Sequence, residues 1–64
     1  MPHVQITLLE GRTTEQKRRV AERVTQVLTE EIGAPSEAIS IAFIDVAKDS
    51  YARGGVLMLD KQKK

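Results

Sequence analysis

The sequence predicts an α/β fold, in which a β-α-β protomer with parallel strands and a short C-terminal hairpin assembles into an oligomer. Residues 3–9 alternate between polar and apolar side chains, residues 14–32 repeat apolar side chains with a helical period, and residues 39–46 are almost continuously apolar. A strand, a helix and a strand with short connections imply a parallel pair joined by a right-handed crossover.

The first element is a strand at the start of the chain. Val4, Ile6 and Leu8 alternate with polar residues, and a period of two with β-branched side chains is typical of a half-buried strand. His3 falls on the opposite face from Val4, which favours a surface role for its side chain. Gly11 ends the pattern.

The second element is an amphipathic helix. Thr13 and Gln16 have the spacing of a capping box, while Gly33 suits the left-handed position after a helix and Pro35 prevents continuation. These signals predict a helix from Thr14 to Ile32, about 28 Å long. Its apolar stripe consists of Val20, Val24, Val27, Leu28 and Ile32.

The remaining elements are a second strand and a short C-terminal segment. Residues 39–46 form the strand, and its apolar run from Ile41 to Ile44 is typical of an inner strand covered on both faces. Residues 56–59 follow Gly54 and Gly55, and we expect them to form a hairpin strand against a neighbouring chain. Residues 61–64 read as a solvated tail. Without repeats or linkers, residues 1–64 form a single domain.

Chain length and composition limit the possible functions. The chain has 64 residues and no Cys, and a domain of this size needs a disulfide, a metal or a partner chain to become stable. A single His without Cys cannot build an ordinary zinc site, so we expect no metal or cofactor and favour an oligomer over a monomer.

The net charge of +1 argues against nucleic acid or a membrane surface as a partner. No apolar run approaches the roughly 20 residues of a membrane span, and the first residues lack the features of a signal peptide. A soluble cytoplasmic protein is therefore expected.

Pro2 is the unusual chemical group. The sequence has no Cys nucleophile, no Gly-x-Ser-x-Gly elbow and no Gly-rich phosphate loop. Removal of Met1 would turn Pro2 into a secondary amine on a rigid ring at the head of a strand. An apolar pocket or nearby cations lower the pKa of such an amine, and a base poised near neutral pH suits proton abstraction next to a carbonyl. The alternative is an ordinary proline at a strand start, where it loses no ladder hydrogen bond.

Arg12 is a candidate for holding the negative charge that proton abstraction creates. It lies between the first strand and the start of the helix, where free N–H groups also favour anions. Its guanidinium can grip a carboxylate with two hydrogen bonds. The alternative is a solvated surface arginine.

Several motifs together resemble the 4-oxalocrotonate tautomerase family. They are Pro2, the alternating strand, Leu-Glu-Gly-Arg-Thr at residues 9–13, Glu-Gln-Lys at 15–17, Gly-Ala-Pro at 33–35, Ala-Lys at 47–48 and Gly-Gly at 54–55. The resemblance covers nearly the whole chain without gaps.

The resemblance implies a homohexamer, a trimer of dimers, whose amino-terminal proline acts as general base and acid. The substrate would be a small enol or keto acid, such as a 2-hydroxymuconate-like dienol of aromatic degradation, which is ketonised. Pro2 carries over as the base, Arg12 as a substrate-binding residue, and Tyr51 stands at the aromatic position, where the best-known members have Phe.

One position departs from the family pattern. Ser40 aligns where the best-known members have a second substrate-binding arginine, contributed from a neighbouring subunit, and losing one such electrostatic group typically costs about 10²–10³ in rate. Arg53 is a possible replacement cation, with an exposed loop arginine as the alternative. The activity that the resemblance implies is that of an isomerase of the 4-oxalocrotonate (2-hydroxymuconate) tautomerase type.

Three alternative functions stay open. The chain could be a non-catalytic assembly protein, or a subunit of a hetero-oligomer whose partner chain supplies the missing arginine. It could also be a promiscuous hydratase or dehalogenase that activates water with a carboxylate near Tyr51. Arg53 occupies the place where that acid would be expected, which disfavours the last alternative.

Overall fold

The computed structural model describes residues 2–61 and has the predicted β-α-β architecture. The elements, in chain order, are β1 (His3–Leu9), α1 (Thr14–Ile32), β2 (Ser40–Val46), β3 (Ala52–Arg53), β4 (Val56–Leu57) and α2 (Met58–Lys61). Single turns of 3-10 helix at Ser36–Ala38 and Lys48–Ser50 flank β2.

The helix α1 begins and ends at the predicted residues because its caps are local. The backbone N–H of Gln16 donates to Thr13 Oγ1 at 3.1 Å, and the backbone N–H of Thr13 donates to Gln16 Oε1 at 2.9 Å. Gly33 has a φ of 72°, and its N–H donates to the carbonyl of Thr29 at 3.1 Å. A left-handed φ at this position favours glycine.

The strands β1 and β2 form a parallel pair with two different faces. Ile6 pairs with Phe43, and both line a small apolar pit with Val20 of α1. Since side chains alternate along a strand, every second pair faces α1. The pairs between them form what we call the open face, which α1 does not cover: His3, Gln5, Thr7, Ser40, Ala42 and Ile44.

The helix α1 and the strand β2 both carry apolar side chains that are not covered by their contact with each other. Val24 and Leu28 are half-buried, whereas Val27 is 54% exposed and Ile32 is 62% exposed. On the open face, Ile44 is 39% exposed. The apolar run of β2 predicted a strand that is covered on both faces. A single chain covers only one of these faces.

The C-terminal segment contains the predicted short hairpin, but its two strands belong to the same chain. Val56–Leu57 pairs antiparallel with Ala52–Arg53 of the same chain, because Gly54 and Gly55 have φ values of 60° and 82°. Positive φ at both central residues makes the tight turn that suits a two-residue hairpin. Residues 58–61 then form a helical turn. The expectation that residues 58–59 continue the strand was therefore wrong. The expectation of a tail that begins at residue 61 was also wrong, because this residue belongs to the helical turn. Residues 62–64 lie outside the described part of the chain.

The strand β2 begins one residue later than predicted. The N–H of Ile39 donates to the carbonyl of Ser36 at 3.2 Å and closes the preceding 3-10 turn. This amide is therefore used locally, and the ladder with β1 starts at Ser40.

The chain is extended rather than globular. Its radius of gyration is 15.1 Å and its dimensions are 46 × 24 × 14 Å, whereas a compact chain of this length has a radius of about 11 Å. No side chain among residues 2–61 is fully buried. No helix in this part of the chain is both long and apolar enough to cross a bilayer.

Candidate active site

A cleft of about 240 Å³ lies at the carboxyl ends of β1 and β2. Arg12, Tyr51 and Arg53, three of the candidate site residues, all line it. The other lining residues are Thr7, Leu8, Leu9, Val46 and Met58. Loops that follow the carboxyl ends of parallel strands are a frequent position for binding sites. The cleft thus brings two arginines and a tyrosine together with apolar residues.

The turn between β1 and α1 positions Arg12. The N–H of Glu10 donates to the carbonyl of Val46 at 2.9 Å and extends the pairing one residue past the strand. Gly11 then turns the chain with a φ of 117°, a conformation that favours glycine. Thr13 caps the helix immediately afterwards, so both sides of Arg12 are held by local hydrogen bonds.

The 3-10 turn and the hairpin position Tyr51 and Arg53. The N–H of Ser50 donates to the carbonyl of Ala47 at 2.9 Å, and the N–H of Met58 donates to the carbonyl of Tyr51 at 2.8 Å. The second bond ties the end of the hairpin to its beginning. Tyr51 remains 37% exposed at the cleft.

The cations of the cleft have no anionic partner in the described part of the chain. Ion pairs in this part join Lys17 to Asp45 at 2.5 Å and Glu15 to both Arg18 and Arg19. Neither Arg12 nor Arg53 takes part in them. Two unpaired guanidinium groups beside apolar side chains suit a small organic anion such as a carboxylate.

Arg12 also connects the cleft to two neighbouring concavities. One is the apolar pit of about 100 Å³ under α1, which includes Ile6 and Phe43. The other is an open groove of about 380 Å³ along α1 that includes Arg19 and Arg23. Residues 2–61 contain no cluster of three or more His, Asp or Glu side chains that could hold a metal ion.

Pro2 lies at the opposite end of the sheet from this cleft. It is half-buried, and its carbonyl accepts a hydrogen bond from the N–H of Ser40 at 3.1 Å. The strand β1, with 7 residues, separates it from the turn that holds Arg12, a distance of about 23 Å at 3.3 Å per residue. One chain therefore does not bring Pro2 to Arg12, Tyr51 or Arg53.

Ser40 also lies at the Pro2 end, and its side chain has a partner that the sequence did not predict. His3 Nδ1 and Ser40 Oγ are 2.7 Å apart, because the register of the parallel pair places these two residues side by side. His3 is exposed, as expected. Arg53 lies at the other end of the sheet and does not take the position of Ser40 within the same chain.

Comparisons with known proteins agree on one family. The family model described as tautomerase enzyme matches residues 2–61. A probable tautomerase of Bacillus cereus is 46% identical over 61 residues, which cover 95% of this chain and 100% of that protein. The 2-hydroxymuconate tautomerase of Comamonas testosteroni is 46% identical over 56 residues, with 88% and 89% of the two chains covered.

Solved structures show the same fold over almost the entire length. A 4-oxalocrotonate tautomerase isozyme of Methylibium petroleiphilum superimposes with a TM-score of 0.90 at 45% identity and covers 97% of this chain and 100% of its own. A heterohexamer 4-oxalocrotonate tautomerase of Chloroflexus aurantiacus gives a TM-score of 0.87 at 28% identity, with 94% and 97% covered. With fold, length and sequence in agreement, the chain belongs to the 4-oxalocrotonate tautomerase family of the tautomerase superfamily.

Proposed function

We propose that this protein is an isomerase of the 4-oxalocrotonate tautomerase type, which ketonises small enols with the amine of Pro2 as general base and acid. The observation that carries the proposal is the cleft in which Arg12, Tyr51 and Arg53 come together without an anionic partner. Relatives described as 2-hydroxymuconate tautomerases support the reaction class.

The proposed reaction needs only a base and a holder for negative charge. Arg12 and Arg53 bind the carboxylate of a 2-hydroxydienoate, and Tyr51 covers the carbon chain. The nitrogen of Pro2 removes the enol proton and then returns a proton to carbon, which gives the ketone and leaves the amine unchanged. No co-reactant is consumed, and the arginines stabilise the dienolate through charge that is already in place.

The proposed reaction needs two chains at each site. Pro2 and the cleft lie at opposite ends of β1, so we propose that Pro2 of one chain meets the cleft of another. The exposed apolar side chains of α1 and of the open face, such as Val27 and Ile44, provide the surface for such an assembly. We propose a homohexamer of single-domain chains. The native mass of the purified protein tests this proposal. If the protein is instead a subunit of a hetero-oligomer, the purified chain should assemble poorly by itself.

The first experiment determines whether Pro2 is an amine. Intact-mass spectrometry of the purified protein reports whether Met1 has been removed, because a retained Met1 makes the nitrogen of Pro2 an amide without basicity. Ketonisation of 2-hydroxymuconate is then compared between the wild type and Pro2→Ala. General base catalysis contributes about 10²–10⁴, so the variant should lose activity in that range.

The chain offers a matched control in Pro35→Ala, which changes a proline in the connection after α1. This variant should keep the wild-type rate. Equal rates for the wild type and Pro2→Ala would reject the requirement for the prolyl amine, since the variant keeps only a primary amine. A protein without turnover of any enol would favour the non-catalytic alternative. A hydrated product instead of a ketone would favour the hydratase alternative.

A further inference from the structure

The hydrogen bond between His3 and Ser40 lies at the end of the sheet where the proposed base is located. His3 follows Pro2 directly in sequence, and the N–H of Ser40 donates to the carbonyl of Pro2 at 3.1 Å. The side-chain bond from His3 Nδ1 to Ser40 Oγ measures 2.7 Å. Both residues are exposed in a single chain, and they lie at the Pro2 end of the open face.

The arginines among the described residues lie elsewhere. Arg12 and Arg53 line the cleft at the carboxyl end of the sheet, and the other three, Arg18, Arg19 and Arg23, lie on α1. In the first residue pair of the sheet, beside Pro2, the side-chain donors are the hydroxyl of Ser40 and the imidazole of His3.

We propose that Ser40 is a substrate-binding residue of the assembled site, where its hydroxyl donates a hydrogen bond to the oxygen that becomes the enolate, and that His3 is the positioning residue that orients it. The inference rests on the proposed function. When Nδ1 carries the proton, His3 donates to Ser40 Oγ, and the hydroxyl hydrogen stays free for the substrate oxygen. Neither residue transfers a proton, since Pro2 moves it.

This arrangement defines a substrate class. Two arginines hold one carboxylate at the cleft end of the site, while the Pro2 end offers a neutral donor. A second carboxylate there would lose its water without gaining a cation, which is costly. The site therefore suits an enol with a single carboxylate better than a diacid.

Two probes with the same dienol and different numbers of carboxylates test the substrate class. They are 2-hydroxypenta-2,4-dienoate, with one carboxylate, and 2-hydroxymuconate, with two. The wild type should show a kcat/KM at least about tenfold higher for the monoacid, since specificity is a difference of binding free energies. An equal or higher kcat/KM for the diacid would overturn the substrate class.

Variants of Ser40 test the hydrogen bond itself. Ser40→Ala should lower kcat for the monoacid by about 10² with little change in KM, because a donor to the developing enolate acts mainly in the transition state. Ser40→Thr keeps the hydroxyl and should retain most of the rate. Ser36→Ala, at an exposed serine before β2, is the matched control and should behave as the wild type.

Variants of His3 separate orientation from structure. His3→Phe should lower kcat by about fivefold to tenfold, the value of one neutral hydrogen bond, and His3→Asn, which keeps a donor near the position of Nδ1, should restore it. An unchanged kcat in both Ser40→Ala and His3→Phe would overturn the inference, provided that Pro2→Ala is inactive. Full activity of Pro2→Ala would instead mean that the proposed function itself has failed.

Discussion

Mixing two inactive variants should restore activity if the base and the carboxylate-binding cations belong to different chains, as we propose. Pro2→Ala replaces the secondary amine on a rigid ring by a primary amine, which impairs the proposed base, and Arg12→Ala removes one cation of the cleft. Ile6 is the residue of β1 nearest to Pro2 that lines a concavity together with Arg12. It lies about 13 Å along the strand from Pro2, at 3.3 Å per residue. A general base must come within about 3 Å of its proton, so one chain cannot supply both groups to one substrate.

The magnitude follows from random assembly. If each site combines Pro2 of one chain with Arg12 of another, an equal mixture of the two variants makes about one quarter of the sites fully wild type in a symmetric oligomer. The parent variants should each show at most about 1% of the wild-type rate, given the contribution of a base or of one electrostatic group. The mixture should therefore recover to about 25% of the wild-type rate per site.

The assay is ketonisation by the two variants after co-expression or after unfolding and refolding together. Native mass spectrometry verifies that mixed oligomers have formed, and the double variant of Pro2 and Arg12, mixed with wild type, is the control for assembly. Mixed oligomers with no more activity than the two parents would refute the two-chain site.

Three further predictions concern stability and assembly. Thr13→Ala removes one half of the capping box and should lower the free energy of unfolding by about 1 kcal/mol in urea denaturation; no change would show that the cap is not needed in the assembly. Gly33→Ala forces a Cβ into a φ of 72° and should cost about 1 kcal/mol in the same experiment, whereas Gly→Ala at a right-handed helical position would stabilise. Ile44→Asp places a charge on the open face and should shift the oligomer towards monomer in analytical ultracentrifugation, together with loss of ketonisation; an intact oligomer would exclude this face from the interface.

Local signals predicted the elements well. The bounds of α1 were correct because a capping box and a left-handed glycine act within a few residues. The start of β2 and the end of the chain were less predictable. Whether Ile39 joins a ladder or closes a 3-10 turn depends on competing partners for one amide, and Val56 could pair with its own chain or with another.

The arrangement of the candidate site residues was not predictable from the sequence. Arg12 is far in sequence from Tyr51 and Arg53, and the structure brings all three to one cleft. Their distance from Pro2 follows from the parallel direction of the two strands. The contact of His3 with Ser40 depends on the strand register, which joins residues 37 positions apart and is set by the packing of the whole β-α-β unit.

The absence of any fully buried side chain among residues 2–61 has a thermodynamic consequence. When the apolar surface of a chain is covered only by its neighbours, folding and association are a single equilibrium, and a free energy of unfolding has meaning only at a stated protein concentration. The melting temperature should then rise as the protein is concentrated. Dilution should therefore lower the stability of the folded protein.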